Sequence, residues 1–261
     1  MKSTFRLSAI FLFIAILFSA CNEEKDEAPP AATSPEITGE MKLNLRNVWG
    51  PMEETFSVGQ GLVQPVSGEQ IRFTTLKYYV SNIQLHKTDG TIWKQPESYH
   101  LIKVSDRPNE IPEIYLPDVP EGDYDAISFL IGVDSLRNVS GAQEGALDPA
   151  EIMFWSWNTG YIFIKAEGES NMSVNGLFNY HVGGFTQPYS SIQPMYFDFQ
   201  GDKLEIREDD FPSVHLVCRV DNFWDNGVTT ENTPAVHTPG ETAAAVAENF
   251  AGGFRFDHIH N

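Results

Sequence analysis

The chain has 261 residues and a formal net charge of −19, because 36 acidic residues outnumber 17 lysines and arginines. This excess of negative charge repels phosphate backbones and argues against nucleic-acid binding. The chain is long enough to build a hydrophobic core without disulfide bonds.

Residues 1–20 have the features of a signal peptide. Lys2 and Arg6 precede the apolar stretch LSAIFLFIAILFSA. The stretch ends in FSAC, which resembles a bacterial lipobox, so we expect cleavage before Cys21 and lipid attachment to that cysteine. An uncleaved membrane span is the alternative, but the apolar run is short for a bilayer. Removal of these residues changes the net charge from −19 to −21.

Residues 21–38 are predicted to form a lipidated tether. The acidic stretch NEEKDE follows Cys21 and resembles the surface-export signal of Bacteroidetes lipoproteins. The next residues, APPAATSP, cannot build a core and are typical of a linker. We therefore expect an outer-membrane lipoprotein on the cell surface, attached to the membrane only through its lipid. The alternative is an orientation that faces the periplasm. A single domain would then span residues 39–261.

Strand patterns dominate residues 39–261. MKLNLRNVW alternates between apolar and polar residues, and QIRFTTLKYYVSNIQLH forms a long extended run before a TDG turn. Later segments such as YIFIKAEGE, LFNYHVGG and SVHLVCRVD continue the pattern. Short strands separated by Gly, Pro and Asp predict an all-β fold, an antiparallel β-sandwich with one or two short helices.

Two segments carry helix signals. In DPAEIMFW, Asp148 is a candidate N-cap, and Glu151 completes a capping box. In HTPGETAAAVAENFAGG, Thr238 is the predicted N-cap, and Gly252-Gly253 ends the helix. This second helix leads directly into the last predicted strand and would hold it in place.

The second cysteine is predicted to be buried and structural. With Cys21 lipidated, Cys218 has no partner for an intramolecular disulfide bond. Strict alternation in SVHLVCRVD places Cys218 on the same face as Val214 and Leu216, which favours a buried thiol.

The chain ends in FRFDHIHN, which has the pattern of a strand. Alternation predicts that Phe254, Phe256, His258 and His260 lie on one face. Two imidazoles on one strand are suitable ligands for copper, zinc or nickel. The alternative is that both histidines contact solvent or hydrogen-bond to an acidic residue.

A metal site at this strand needs a third ligand from elsewhere in the chain. His237, just before the last helix, and His181, before two glycines, are the candidates. His86 is predicted to be exposed, and His100 and His215 are predicted to be ordinary half-buried residues because they alternate with hydrophobic residues.

No sequence motif of an enzyme is present. The sequence lacks GxSxG, a Gly-rich phosphate loop, CxxCH and HExxH. We therefore predict a protein without catalytic activity. Metal-assisted hydrolysis, with Asp257 or Glu248 as the acid near the histidines, is an alternative.

Tryptophans suggest a third function. Trp49, Trp93 and Trp224, if exposed, could stack on sugar rings in a surface adhesin or glycan-binding module without metal. The aromatic stretch MFWSWNTGYIF, by contrast, is predicted from its spacing to belong to the core.

Several segments in fixed order resemble the MbnP-like family of copper-binding exported proteins. They are YYVSNIQL, LPDVPEGDYDAISFLIGVD, MFWSWNTGYIFIKAEG, FNYHVGG and HTPG…AENFAGGFRFDHIHN, and together they run from about residue 40 to residue 261. The resemblance implies a β-sandwich that binds copper outside the cytoplasm, for sequestration or uptake. Zinc would be a substitute in vitro.

The resemblance also implies a modified tryptophan. In similar proteins, a kynurenine made from tryptophan contributes to the copper site, in some cases through a di-haem partner of the cytochrome c peroxidase type. Trp155 and Trp157 are the candidates here. In those proteins the ligand tryptophan lies close to a ligand histidine, whereas the first histidine after Trp157 is His181. The kynurenine ligand is therefore not assigned to one position.

Overall fold

The structure, a computed structural model, describes residues 37–156 and 160–261. The predicted signal peptide, Cys21, most of the predicted tether and Trp157 lie outside the described residues. Within the described ranges, no helix is both long enough and apolar enough to cross a membrane.

Strands are the main regular structure of the described chain. The first half contains β1 (Thr38–Trp49), β2 (Glu54–Thr55), β3 (Gly61–Val63), β4 (Gln70–His86), β5 (Ile92–Lys94), β6 (Tyr99–Lys103), β7 (Glu113–Pro120), β8 (Gly122–Tyr124), β9 (Ala126–Ile131) and helix α1 (Ser135–Val139). The second half contains β10 (Phe154–Ser156), β11 (Gly160–Ser170), β12 (Leu177–Gly183), β13 (Gln193–Asp198), β14 (Leu204–Ile206), β15 (Ser213–Arg219), β16 (Ala235–Val236), helix α2 (Glu241–Gly252) and β17 (Phe254–His260). Short 3-10 helices occupy Gly145–Leu147, Pro149–Glu151 and Val220–Trp224.

The strands form two main sheets. The small sheet has the order β17-β15-β1-β2, and β7 also pairs with β1. The large sheet has the order β13-β9-β4-β11-β12-β16, with further short strands along β4 and β11. The all-β, sandwich-like prediction with two short helices is confirmed. Most pairs are antiparallel, but β1 with β15 and β12 with β16 run parallel.

The core is rich in aromatic side chains. Tyr78 of the large sheet is fully buried, and its ring lies 5.2 Å from that of Phe250 in α2 and 5.9 Å from that of Phe254 at the start of β17. These contacts attach the end of the chain to the large sheet. Cys218 is fully buried and free, which confirms the predicted structural thiol.

The first predicted helix is a single 3-10 turn. The Asp148 side chain accepts a hydrogen bond from the Ala150 backbone N–H at 2.8 Å, as expected of an N-cap. The predicted capping box is wrong, because the Glu151 carboxylate lies 2.6 Å from the Lys103 amine instead.

Helix α2 starts later than predicted. Gly240 occupies the N-cap position, so the prediction of Thr238 as N-cap is wrong. Pro239 packs closely against Gly184 and belongs to the preceding loop. The helix ends at Gly252, as the two glycines predicted.

A β-bulge interrupts the pairing of β17 with β15. His258 pairs with His215, whereas Phe256 pairs with Leu216, so Asp257 is an extra residue in the ladder. Leu216 is a core residue and His215 is on the opposite face of β15, which places His258 on the outer face.

The bulge changes which side chains of β17 share a face. Phe254 and Phe256 face the core, where the Phe256 ring lies 5.3 Å from that of Phe199. His258 and His260 lie on the outer face of the small sheet, and Ile259 packs against the core. The prediction that the two phenylalanines and the two histidines share one face is therefore wrong, because strict alternation ends at the bulge.

Candidate metal centre

Three histidines converge on the outer face of the small sheet. His215 of β15 and His258 and His260 of β17 each offer a ring nitrogen, and these atoms all lie within 4.8 Å of one another. The Nε2 atoms of His258 and His260 are 3.1 Å apart. The His215 ring stacks on that of His258 at 4.3 Å between centroids. Among the described residues, no other group of three or more His, Cys, Asp or Glu side chains brings its potential ligand atoms this close together.

The spacing of the nitrogens suits a metal ion. Imidazole nitrogens bind zinc at about 2.0–2.1 Å, and a tetrahedral arrangement then separates neighbouring nitrogens by about 3.4 Å. The 3.1 Å contact between His258 and His260 is close to that separation. His258 is half-buried and His260 exposed, so an ion can reach the site from solvent. Three nitrogen donors would leave further coordination positions to solvent or another ligand.

Neighbouring strands hold the His215 ring. Strand β1 runs parallel to β15 and places Asn44 beside His215 in register. Asn44 Nδ2 and Ser213 Oγ each lie 3.0 Å from His215 Nε2. Asn44 is buried, and its Oδ1 has no hydrogen-bond partner. Turning the amide over would let this oxygen accept from Nε2–H, which leaves His215 Nδ1 unprotonated and available to a metal.

Burial favours the neutral form of His215. Burial of the ring lowers its pKa, and the nearby charges of His258 and His260 lower it further. The neutral imidazole is the form that binds metal. His215 therefore stays ready to bind at a lower pH than an exposed histidine.

Asp257 fixes the orientation of His258. Its Oδ2 lies 3.2 Å from His258 Nδ1. An ionised carboxylate can only accept, so His258 carries its hydrogen on Nδ1 and presents the lone pair of Nε2. The 3.1 Å contact then requires a hydrogen on His260 Nε2, and this hydrogen would have to move to Nδ1 of the ring before Nε2 could bind a metal.

His181 and His237 form a separate pair on the large sheet. Their ring centroids are 5.0 Å apart, and His181 Nε2 lies 2.6 Å from Glu167 Oε1. Burial lowers the pKa of His237, as does the charge of His181. Neither histidine belongs to the group of three at His258 and His260. The structure thus brings the four histidines predicted as ligands together in two pairs.

Trp155 lies against Gly183 of β12, the strand that also carries His181. A Cβ on Gly183 would come within 2.9 Å of the Trp155 ring and 2.5 Å of the Tyr161 carbonyl oxygen, so only glycine fits there. Gly183 follows His181 by two residues on β12, which places both on the same face of the strand. Oxidation of Trp155 or Trp157 stays a prediction.

Comparison with known proteins identifies the family. The MbnP family model matches residues 38–238, which is most of the chain. The chain belongs to the MbnP family. Its structure is similar to that of MbnP from Methylosinus trichosporium, with a TM-score of 0.52 and 15% sequence identity over 78% of this chain and 83% of that chain. At this identity the similarity shows a shared fold. No curated protein matches the sequence.

The MbnP match covers only part of the three-histidine site. Residues 38–238 include His215, His181 and His237, whereas His258 and His260 follow the matched region. The assignment of His258 and His260 as candidate ligands is therefore based on the geometry of this chain and on the sequence pattern of β17, and not on the family match.

His215 is the site residue that sequence reasoning missed in this MbnP-family protein. Alternation in SVHLVCRVD correctly places it opposite Val214 and Leu216. The sequence carries no signal that β15 pairs with β17, and this pairing is what sets His215 against His258.

The tryptophans proposed for sugar stacking do not form a surface platform. Trp49 and Trp224 are only 4% and 6% exposed, and their rings are 6.0 Å apart in the core. Trp93 is half-buried and packs against the core. The glycan-binding alternative loses the aromatic surface on which it depended.

Proposed function

We propose that this MbnP-family protein binds copper through His215, His258 and His260 and serves in copper sequestration or uptake outside the cytoplasm. The convergence of three ring nitrogens within 4.8 Å carries the proposal. Imidazole is a preferred donor for copper, and resemblance to MbnP-like proteins selects copper over zinc and nickel. Zinc would compete at the same nitrogens in vitro.

The surroundings of the site favour metal binding over turnover. Asp257, the acid considered for metal-assisted hydrolysis, is bound to Arg255 and His258. Its carboxylate is thus occupied in holding a ligand in place. Glu248, the other acid considered, is exposed on α2. We therefore propose a carrier or storage role without catalysis.

Metal analysis and titration test the proposal. The soluble domain, expressed without residues 1–21 and purified without chelators, should contain close to one copper per chain by inductively coupled plasma mass spectrometry. His215→Ala, His258→Ala and His260→Ala should each lower copper affinity by on the order of 100-fold, because each removes one of three ligands. His86→Ala, in the large sheet, is the matched control. Unchanged affinity in all three variants would contradict this assignment.

The location is also a proposal. A lipid on Cys21 would hold the domain at the outer membrane, with the acidic NEEKDE stretch directing it to the cell surface. Labelled palmitate should be incorporated into the wild-type protein and not into Cys21→Ser. Digestion by an external protease on intact cells would distinguish surface exposure from a periplasmic orientation.

A modified tryptophan is a second proposal for the same protein. The position of Trp155 against Gly183, on the strand that carries His181, favours it over a purely structural tryptophan. A di-haem peroxidase-type partner would supply the oxidation. Mass spectrometry of the peptide that contains Trp155 and Trp157, with and without such a partner, tests the idea. An unmodified peptide from the native organism would contradict it.

A further inference from the structure

The bulge of β17 is surrounded by a network of paired charges on the outer face of the small sheet. Two arginines and two carboxylates form this network, which we call the Glu53 network: Arg46, Glu53, Arg255 and Asp257. It connects the turn before β2 with the strand that carries two of the three site histidines.

Glu53 binds Arg255 in a bidentate arrangement. Arg255 Nη2 lies 2.8 Å and 2.7 Å from the two carboxylate oxygens, and Arg255 Nε is 3.1 Å from Oε1. Arg46 Nη2 lies 3.5 Å from the same carboxylate. Paired geometry of this kind is strong and directional. Hydrogen bonding from Arg255 lowers the pKa of Glu53, so its charge persists in mild acid.

Asp257 divides its oxygens between the arginines and His258. Its Oδ1 accepts from Arg255 Nη1 at 3.2 Å. Its Oδ2 lies 3.7 Å from Arg46 Nη2 and 3.2 Å from His258 Nδ1. The arginines and the imidazole therefore compete for the same carboxylate. Glu53 engages both arginines and leaves one Asp257 oxygen for His258.

The backbone at Glu53 is unusual. Its φ is 52°, in the left-handed region that side chains other than glycine seldom adopt. Such a conformation persists where surrounding contacts hold it, and here the Glu53 backbone N–H donates to the Gly50 carbonyl at 3.1 Å while the carboxylate pairs with Arg255.

We infer that Glu53 is a positioning residue for the metal site, which acts through Arg255 and Asp257 to keep the hydrogen of His258 on Nδ1 and its Nε2 lone pair facing His260. The role in metal binding rests on the proposed copper function, whereas the tautomer of His258 can be measured without metal. Loss of the Glu53 charge would turn both arginines toward Asp257, and His258 would lose its acceptor.

Nuclear magnetic resonance of the soluble domain with ¹⁵N-labelled histidine tests the inference. In the metal-free wild type, we expect His258 mostly as the Nδ1–H tautomer. Glu53→Gln has nearly the same shape without the charge and should shift His258 toward the Nε2–H form. Glu54→Gln is the matched control, because it removes the neighbouring exposed charge in β2. Circular dichroism confirms that both variants fold.

Copper titration completes the experiment. Glu53→Gln should weaken copper binding by about 10-fold, which is typical for loss of a group that orients a ligand, with all three ligands present. An unchanged tautomer in Glu53→Gln would overturn the inference, whatever the copper result. If Glu53→Gln shifts the tautomer of His258 but the wild-type protein binds no copper, the positioning role of Glu53 stands and the proposed copper function is overturned. Asp257→Asn retains an oxygen that can accept a hydrogen bond from His258. Its copper affinity should therefore lie between those of the wild type and of Asp257→Ala.

Discussion

The contact between His258 and His260 determines what a metal must displace. Two ring nitrogens 3.1 Å apart need one hydrogen between them, and Asp257 places that hydrogen on His260. A metal at His260 Nε2 would require this hydrogen to move to Nδ1 of the same ring, so a change of tautomer in His260 would accompany binding. The carboxylate that orients His258 thus also sets the tautomer of His260 that metal binding would have to change.

The two histidine pairs can be separated by substitution. His181→Ala and His237→Ala should change copper affinity at the three-histidine site by less than about 2-fold, because neither ring belongs to that cluster. Competition with a chromophoric chelator measures the affinity, with His258→Ala as the positive comparison. An equal loss of copper affinity in the His181 and His258 variants would contradict the three-histidine assignment and indicate a site that includes His181, on the strand next to Trp155.

At the residue scale, sequence reasoning could bring together side chains that lie on one strand. His258 and His260 were predicted as ligands from their spacing, and the structure places their nitrogens together. His215 lies 43 residues before His258 in the sequence. Its proximity depends on strand pairing, which no local pattern encodes.

Helix α2 fixes the start of β17 to the core. Phe250 is fully buried and stacks on Phe223 at 4.6 Å, with Tyr78 and Phe254 also in contact. Phe250→Ala should therefore destabilise the protein by about 3–5 kcal/mol through lost burial and a cavity. Urea denaturation measures the change. Glu248→Ala, exposed on the same helix, should stay within about 0.5 kcal/mol, and equal effects of both variants would contradict this role of Phe250.

Asn261 fixes the other end of β17. Its side chain donates to the Lys203 carbonyl and accepts from the Glu205 backbone N–H, each at 2.9 Å. Asn261→Ala should increase hydrogen exchange at the His260 amide and weaken copper binding by a few-fold, since a more mobile ligand loses more entropy on binding. Exchange rates equal to wild type would show that the sheet alone holds this end.

The bulge in β17 shows why hydrophobic alternation predicts the strand but not the facing of all its side chains. Alternation predicted a strand over residues 254–260, and the strand is there. Its facing was predicted wrongly after Phe256, since one extra residue reverses the pattern. The sequence around Asp257 does not indicate a bulge, because the contacts of Asp257 depend on Arg46 and Glu53 from another part of the chain.

At the scale of the whole molecule, the all-β fold followed from strand spacing, whereas the order of the strands did not. The small sheet sets β1 parallel to β15, two strands separated by most of the chain. Hydrophobic alternation specifies which face is buried but gives no partner. The proposed metal site depends on this order, since Asn44, His215 and His258 meet only when β1, β15 and β17 are neighbours.

Half-buried His100 should make the stability of the fold depend on pH. Burial lowers the pKa of His100 from 6.5 to about 4, and the pKa values of His86, His215 and His237 are also lowered, with burial the main cause. Between pH 6.5 and about 4 the unfolded chain binds more protons at His100 than the folded protein does. The stabilisation is therefore fully present above pH 6.5 and is lost as the pH falls toward 4.

Urea denaturation of the metal-free domain at several pH values between 7.5 and 4 tests this dependence. The free energy of unfolding should fall across this range, with His100 contributing on the order of 2 kcal/mol. His100→Gln keeps an amide next to Gln95, the present partner of the ring at 2.8 Å, and does not titrate. The variant should show a shallower dependence on pH than the wild type. Parallel curves would mean that His100 is protonated as readily in the folded protein as in the unfolded chain.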